Sequence, residues 1–318
     1  MDVLLVSLGS TSGLRAADDE LAGALARAGA DVRVARARPP REGLRTLAVI
    51  DLAWARAARH AALEAGPADA VIYSSTTAAF FAPWPGAVRF DALAAVNRPG
   101  RHGIWQRPHE ARVLRRARLL LPWAPSSLEG APAGAAEKAI VVPVPVAPSG
   151  RIDGPRDIAA ITYAAAPEKK GLDRVIAAFC AVRRDDEELL VAGADEAVLP
   201  PLPDGVRSVG RLPRDEYRAV LRRARVFVTA PRREDYGIAQ LEALADGCRL
   251  VTTPAPGPYA ALPIARDAGY VADTDADLPR VLRAALDDDS PRTAAALAPF
   301  APTAVDRVVA EQVLPRLG

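Results

Sequence analysis

Glu234 and Glu242 are separated by seven residues in Glu234-Asp235-Tyr236-Gly237-Ile238-Ala239-Gln240-Leu241-Glu242. The run before them, Arg225-Val226-Phe227-Val228-Thr229, reads as a buried strand, and Ala230 to Asp235 as a polar loop. Gly237 then opens a helix that Gly247 closes. The first N–H groups of a helix have no partner within it, so Gly237 and Ile238 offer backbone amides to an anion such as a phosphate. Glu234 is expected at the mouth of the loop. Glu242, one turn inside the helix, could accept hydrogen bonds from a vicinal diol. Plain helix-start acidity, favoured by the helix dipole, is the competing explanation. The agreement of strand, loop, helix and glycines favours a site.

The second feature is Pro167-Glu168-Lys169-Lys170-Gly171. The chain has 318 residues, with 41 Lys and Arg against 39 Asp and Glu, yet Lys occurs only at Lys138, Lys169 and Lys170. GC-rich coding accounts for most of the arginine excess and fits the wealth of Ala and Pro. A lysine ammonium is nevertheless a compact point charge, for which Arg is not an equivalent replacement. A solvated loop pair is the competing reading. Position after a strand and before Gly171 favours a site.

Short β-branched runs alternate with amphipathic helices, the signature of a parallel α/β sheet. In the first half, strands are predicted at 3–7, 32–35, 70–73, 88–90, 119–121 and 140–144. Helices are predicted from Leu14 to near Gly29, over about 44–65, and over 108–117. The Pro- and Gly-dense stretch 145–155 reads as a linker. A second cycle follows, with strands at 158–163, 189–192, 206–209, 226–229, 250–252 and near 270–271. Its helices are predicted at 172–183, 214–224, 238–245 and near 277–287, 292–298 and 303–315. The division is thus residues 1–147, residues 156–300, and a terminal helix within 301–318 that is expected to pack back towards the first domain. Two such sheets are expected to face each other across a ligand-binding cleft.

Half of the residues are hydrophobic and the net charge is +2, which excludes a disordered chain and gives no electrostatic case for nucleic-acid binding. Cys180 and Cys248 read as free core thiols of a reducing compartment. No apolar run is long enough to span a membrane. Met1-Asp2-Val3 begins with an acid where a signal peptide has bases, and it reads as a first strand. A cytoplasmic location is the expectation. The acidic runs 273–277 and 287–289 read as a turn and a solvated helix end rather than a divalent-ion site. All four Trp and all three His fall in the first half. The polar, aromatic loop from Asn97 to Glu110 holds His102, Trp105 and His109, and Asp91 follows a predicted strand. These residues form a candidate acceptor side, with Trp105 as a stacking surface; a surface loop with one buried Trp is the alternative. Gly9-Ser10-Thr11-Ser12-Gly13 is either a ligand loop or a plain strand–helix turn.

In order along the second half, four segments resemble the group 1, GT4-like retaining glycosyltransferases of the GT-B fold. These are Glu168-Lys169-Lys170-Gly171 with the following helix, Leu189-Leu190-Val191-Ala192-Gly193, Val209-Gly210-Arg211-Leu212-Pro213, and Glu234 to Gly247. The resemblance is nearly continuous from about 158 to 273 and loose in the first half. It implies two Rossmann-like domains facing across a cleft and a nucleoside diphosphate sugar as donor. Lys170 would contact the donor diphosphate, Glu234 the sugar hydroxyls, and Glu242 the ribose. Gly237 and Ile238 would supply amides, with Tyr236, Arg211 and Gly13 nearby on the donor side. The family's usual Arg five residues before the lysine is Ala165 here, so leaving-group charge would rest on Lys170, the amides, and Arg232, Arg233 or Arg211. The family's Pro-Ser before the first Glu is Ala230-Pro231.

The resulting expectation is a retaining hexosyltransferase that uses no metal and no cofactor. Its acceptor would be a small molecule, a glycan or a lipid-linked species, with a peripheral membrane contact. The alternatives are a nucleotide-sugar epimerase of the same fold and a subunit that binds nucleotide sugars without catalysis. One substitution tests the lysine argument directly. Lys170→Arg is expected to impair sugar transfer while Lys138→Arg leaves it unchanged, as measured by initial rates.

Overall fold

The computed structural model describes residues 1–40, 46–98, 100–151, 154–257, 259–290 and 295–318. It divides into two units, Met1–Pro145 with Pro299–Gly318, and Val146–Ala298. The first unit is built on five parallel strands, β1 (Asp2–Ser7), β2 (Asp31–Arg36), β3 (Ala70–Tyr73), β4 (Ala87–Phe90) and β5 (Leu120–Pro122), in the order β2-β1-β3-β4-β5. Parallel strands covered on both faces read as unbroken apolar runs, and Val3, Leu4, Leu5 and Val6 of β1 are fully buried. Helix α1 (Ser12–Arg27) starts where Thr11 Oγ1 accepts the Leu14 N–H at 3.2 Å. It turns Ala17, Leu21, Ala24 and Leu25 into the core. Helices α2 (Leu47–Ala65), α3 (Ala94–Asn97) and α4 (Gln106–Arg116) complete the layers.

The second unit repeats the plan with β6 (Ile158–Tyr163), α5 (Pro167–Lys170), α6 (Leu172–Val182), β7 (Leu189–Ala192), β8 (Val206–Gly210) and α7 (Arg214–Arg223). Strand β9 (Ala224–Val228), α8 (Ile238–Ala245), β10 (Arg249–Val251), α9 (Leu262–Asp267) and α10 (Leu278–Asp287) follow. Its sheet runs β10-β9-β6-β7-β8, all parallel. The chain closes with α11 (Pro302–Val308), a π turn over Val309–Val313 and a 3-10 turn over Leu314–Arg316. Val305, Val309, Val313 and Leu317 share a core cluster with Leu21 and Leu25 of the first unit. No helix among the described residues is long and apolar enough to cross a membrane.

Several expectations change. Residues 140–144 are extended but form no strand. Ile140 and Val142 donate to the Leu120 and Pro122 carbonyls at 2.9 Å, whereas Pro122 of β5 has no N–H to donate back to this stretch. The pairing near 270–271 is likewise one bridge, between Thr252 and Val271. Cys248 is buried, but Cys180 is exposed on α6 and is no core thiol. Lys169 and Lys170 end a short helix instead of lying in a loop. Gly13 lies in the first turn of α1 rather than in the loop before it. Near 292–298 there is a 3-10 turn over Ala295–Phe300. Residues 44–45, 152–153 and 292–294 of the expected helices and linker lie outside the described residues. Lys138 has a definite place. Its Nζ donates to the Arg115 and Ala117 carbonyls at 2.8 Å, closing the end of α4.

Glu110 and Asp18 of the first unit are buried carboxyl groups that burial raises above the ordinary range. Glu110, 4% exposed, accepts the Thr76 hydroxyl and the Ala94 N–H, each at 2.7 Å. Burial outweighs these contacts and pushes its carboxyl up to about 7. A raised folded-state value means the stability from this group is present below its ordinary value and lost as pH rises through about 7. Denaturant melts at pH 5 and pH 8 are expected to show a loss of up to about 3 kcal/mol through this group. Glu110→Gln is expected to flatten that difference.

Candidate functional site

In the second sheet the strand order reverses between β6 and β9. The chain steps from β6 outward to β7 and β8, then returns along α7 to β9 on the other side of β6. In such sheets ligands bind beyond the carboxyl ends of the two strands at which the order reverses. The loop after β6 leads to Lys169 and Lys170, and the loop after β9 carries Glu234 and Asp235.

The two loops are brought into contact by Gly171. Its φ is +63°, and a Cβ there would fall 1.9 Å from the Ala230 carbonyl oxygen, so only glycine permits the approach. Across this contact the Arg232 N–H donates to the Lys169 carbonyl at 2.9 Å. Lys170 Nζ then lies 2.6 Å from Glu234 Oε2, and Lys169 Nζ 2.5 Å from Asp235 Oδ2. Burial pulls the Asp235 carboxyl upward, but the Lys169 ammonium more than offsets it and holds the group below the usual carboxylate range. Glu234 is 4% exposed. Its N–H donates to the Pro256 carbonyl at 3.1 Å. A Cβ on Gly257 would come within 1.8 Å of the Glu234 carbonyl oxygen, so that loop, too, closes on glycine. Gln240 Nε2 donates to the same Glu234 Oε2 at 2.7 Å. Glu234 Oε1 keeps no partner among the described residues.

Glu242 lies further along α8, where Arg214 and Arg218 of α7 donate to its Oε1 at 2.9 and 3.5 Å. Arg218 also binds Asp246 Oδ2 at 2.5 Å and the Ala147 carbonyl at 2.8 Å. Glu242 Oε2 is left without a partner among the described residues. Gly237 and Ile238, ahead of the first turn of α8, donate their N–H groups to no other described residue. Among the remaining donor-side candidates, Tyr236 is buried in the core at 2% exposure, and its side chain is not open to solvent. Arg211 is exposed and pairs with Asp195 at 3.1 Å. Arg232 is tied to Asp173 at 2.7 Å and Arg233 to Asp235 at 3.5 Å.

Gly13, Asp91, His102, Trp105 and His109 belong to the first unit. Asp91 follows β4, and its Oδ1 accepts the Ala92 N–H at 2.8 Å. His102 is exposed on a 3-10 turn. Trp105 is half-buried between Phe80 and His109, with ring centroids 5.7 and 5.2 Å away. His109 Nδ1 lies 2.7 Å from the Trp105 carbonyl oxygen. A carbonyl only accepts, so Nδ1 carries the proton and Nε2 is the open nitrogen of the neutral ring. Among the described residues no group of three or more His, Cys, Asp or Glu is arranged to hold a metal ion.

Residues 156–288 match the family model for glycosyl transferases, group 1. Over this range the second unit is similar to the group 1 glycosyltransferases. The match spans the Lys170 helix, the Glu234 loop and Glu242 together, and it bears out the expectation of a transferase enzyme. No curated protein matches the sequence. Among solved structures, the chain is similar to WaaG, a glycosyltransferase involved in lipopolysaccharide biosynthesis, at 17% identity and a TM-score of 0.66, covering 98% of this chain and 95% of that one. It is similar to Anabaena HepE in complex with UDP and glucose at 14% identity and a TM-score of 0.70, covering 98% of each. Sucrose-phosphate synthase from Thermosynechococcus elongatus gives 16% and 0.60, with 96% of each covered. These likenesses establish the GT-B fold for the chain.

The second unit also contains polar partners with little or no local signature in the sequence. Gln240 showed only as one polar residue in an otherwise apolar helix start. Arg214 and Arg218 reach Glu242 from 28 and 24 positions away, a separation with no local signature. The loop contact itself rests on Gly171. Gly171→Ala is expected to destabilise the domain by at least about 2 kcal/mol, through positive φ and the overlap with Ala230. A thermal melt of the variant measures this.

Proposed function

We propose that the chain transfers a hexose, with retention and without a metal, from a nucleoside diphosphate sugar to an acceptor hydroxyl. The observation that carries this reading is the ammonium–carboxylate contact of Lys170 and Glu234 beside the open amides of Gly237 and Ile238. Breaking a sugar–phosphate bond develops negative charge on the diphosphate and positive character on the sugar. Lys170 and the two amides would stabilise the first. Glu234 Oε1, held by its other oxygen, would accept a sugar hydroxyl, and Glu242 Oε2 would accept the ribose diol. The departing phosphate would take the proton of the acceptor hydroxyl, so no enzyme nucleophile is required. That HepE was solved with UDP and glucose supports a nucleoside diphosphate donor for this fold.

The acceptor would bind at the first unit, as a small molecule, a glycan or a lipid-linked species. Trp105 offers it an aromatic face and His109 Nε2 a hydrogen-bond acceptor. Exposed arginines on α4, Arg112, Arg115 and Arg116, suit an anionic acceptor or a peripheral membrane contact at the cytoplasmic face. A thermal-shift panel of uridine, guanosine and adenosine diphosphate sugars tests the donor assignment. One of them is expected to stabilise the protein by about 2.7 kcal/mol at one hundred times its dissociation constant, and Glu242→Ala to abolish that shift. A protein that responds to no nucleotide sugar contradicts the proposal.

A further inference from the structure

Gln240 occupies a position that packing alone would give to an apolar side chain. It is 1% exposed in the first turn of α8, next to Leu241 at 0%. Its amide faces Glu234, and a carboxylate only accepts, so Nε2 must be the atom that points at Oε2. That orientation leaves Gln240 Oε1 buried without a hydrogen-bond partner. The Tyr259 hydroxyl, paired with Thr252 Oγ1 at 2.8 Å, also lies against the Gln240 amide. A buried, unpaired carbonyl costs stability. The amide therefore contributes little to folding beyond what a methylene chain of the same size would contribute. What it does supply is a fixed donor to one oxygen of Glu234.

Lys170 and Gln240 hold that same oxygen, at 2.6 and 2.7 Å, but they differ in freedom. Lys170 reaches in on a flexible stem from the end of a four-residue helix and is 17% exposed. Gln240 is locked within a helix in the core. An anionic ligand at the amides of Gly237 and Ile238 would draw the ammonium away and leave the amide in place. We infer that Gln240 is a positioning residue for Glu234, keeping its Oε1 turned towards the substrate hydroxyl when Lys170 turns to the diphosphate. This rests on the function proposed above.

The test is Gln240→Met, which keeps the volume and removes the donor. The nucleoside diphosphate preferred by the wild type among uridine, guanosine and adenosine diphosphates is titrated by calorimetry. Release of free glucose from the corresponding nucleoside diphosphate glucose gives kcat, and a thermal melt gives Tm. The expected result is a Tm equal to or above that of the wild type, diphosphate affinity within about twofold, and kcat lower by about tenfold to a hundredfold. An unchanged kcat overturns the inference. So does a joint fall of Tm, affinity and kcat, which marks an ordinary core residue. A wild type that cleaves none of the nucleotide sugars overturns the proposed function and this inference together.

Discussion

Where the loops after β6 and β9 meet, an ammonium nitrogen lies 2.6 Å from an oxygen of a carboxylate that is almost wholly out of water. Withdrawing both charges from solvent costs more than their attraction returns unless each has further partners and the geometry is tight. The surroundings supply both. Gly171 lets α5 close onto Ala230, Lys169 and Asp235 form a second pair alongside, and Gln240 donates to Glu234 from the core side. The loop at Gly257 fixes the Glu234 backbone. Opening the glycine-dependent loop contacts would separate the two buried charges, so the carboxyl ends of the two strands are organised around this contact.

The two acids of the motif follow one pattern. Each has one oxygen occupied by protein donors, Oε2 of Glu234 and Oε1 of Glu242, and the other without a partner among the described residues. Carboxylates held in this way are oriented before any ligand arrives, and a hydroxyl can be accepted without reorganisation. The spacing of seven residues between them places one ahead of the α8 start and the other within the helix, on either side of the open amides. Anion site and hydroxyl sites thus come from one strand–loop–helix segment, the segment that the group 1 family match also spans.

Much of this architecture is legible in the sequence because both sheets are parallel and buried. Runs such as Val3-Leu4-Leu5-Val6 and Leu189-Leu190-Val191-Ala192 have no polar face to confuse the period, and their strands fall where the apolar runs do. Local chemistry can forbid what hydrophobicity invites, as at 140–144, where Pro122 of the neighbouring strand has no N–H to donate back. Within the site, the acids, the lysines and the glycines are visible because their spacing is short-range. Gln240, Arg214 and Arg218 are not, since their roles exist only once α7, α8 and the β9 loop pack together. A polar residue in an apolar helix start was the one trace of Gln240 in the sequence.

The most direct test is the structure of the protein with a bound nucleoside diphosphate. The account predicts phosphate oxygens within hydrogen-bond distance of Lys170 Nζ and the Gly237 and Ile238 amides, with Gln240 still on Glu234 Oε2. A diphosphate bound elsewhere in the second unit, with the Lys170–Glu234 contact undisturbed, would contradict it.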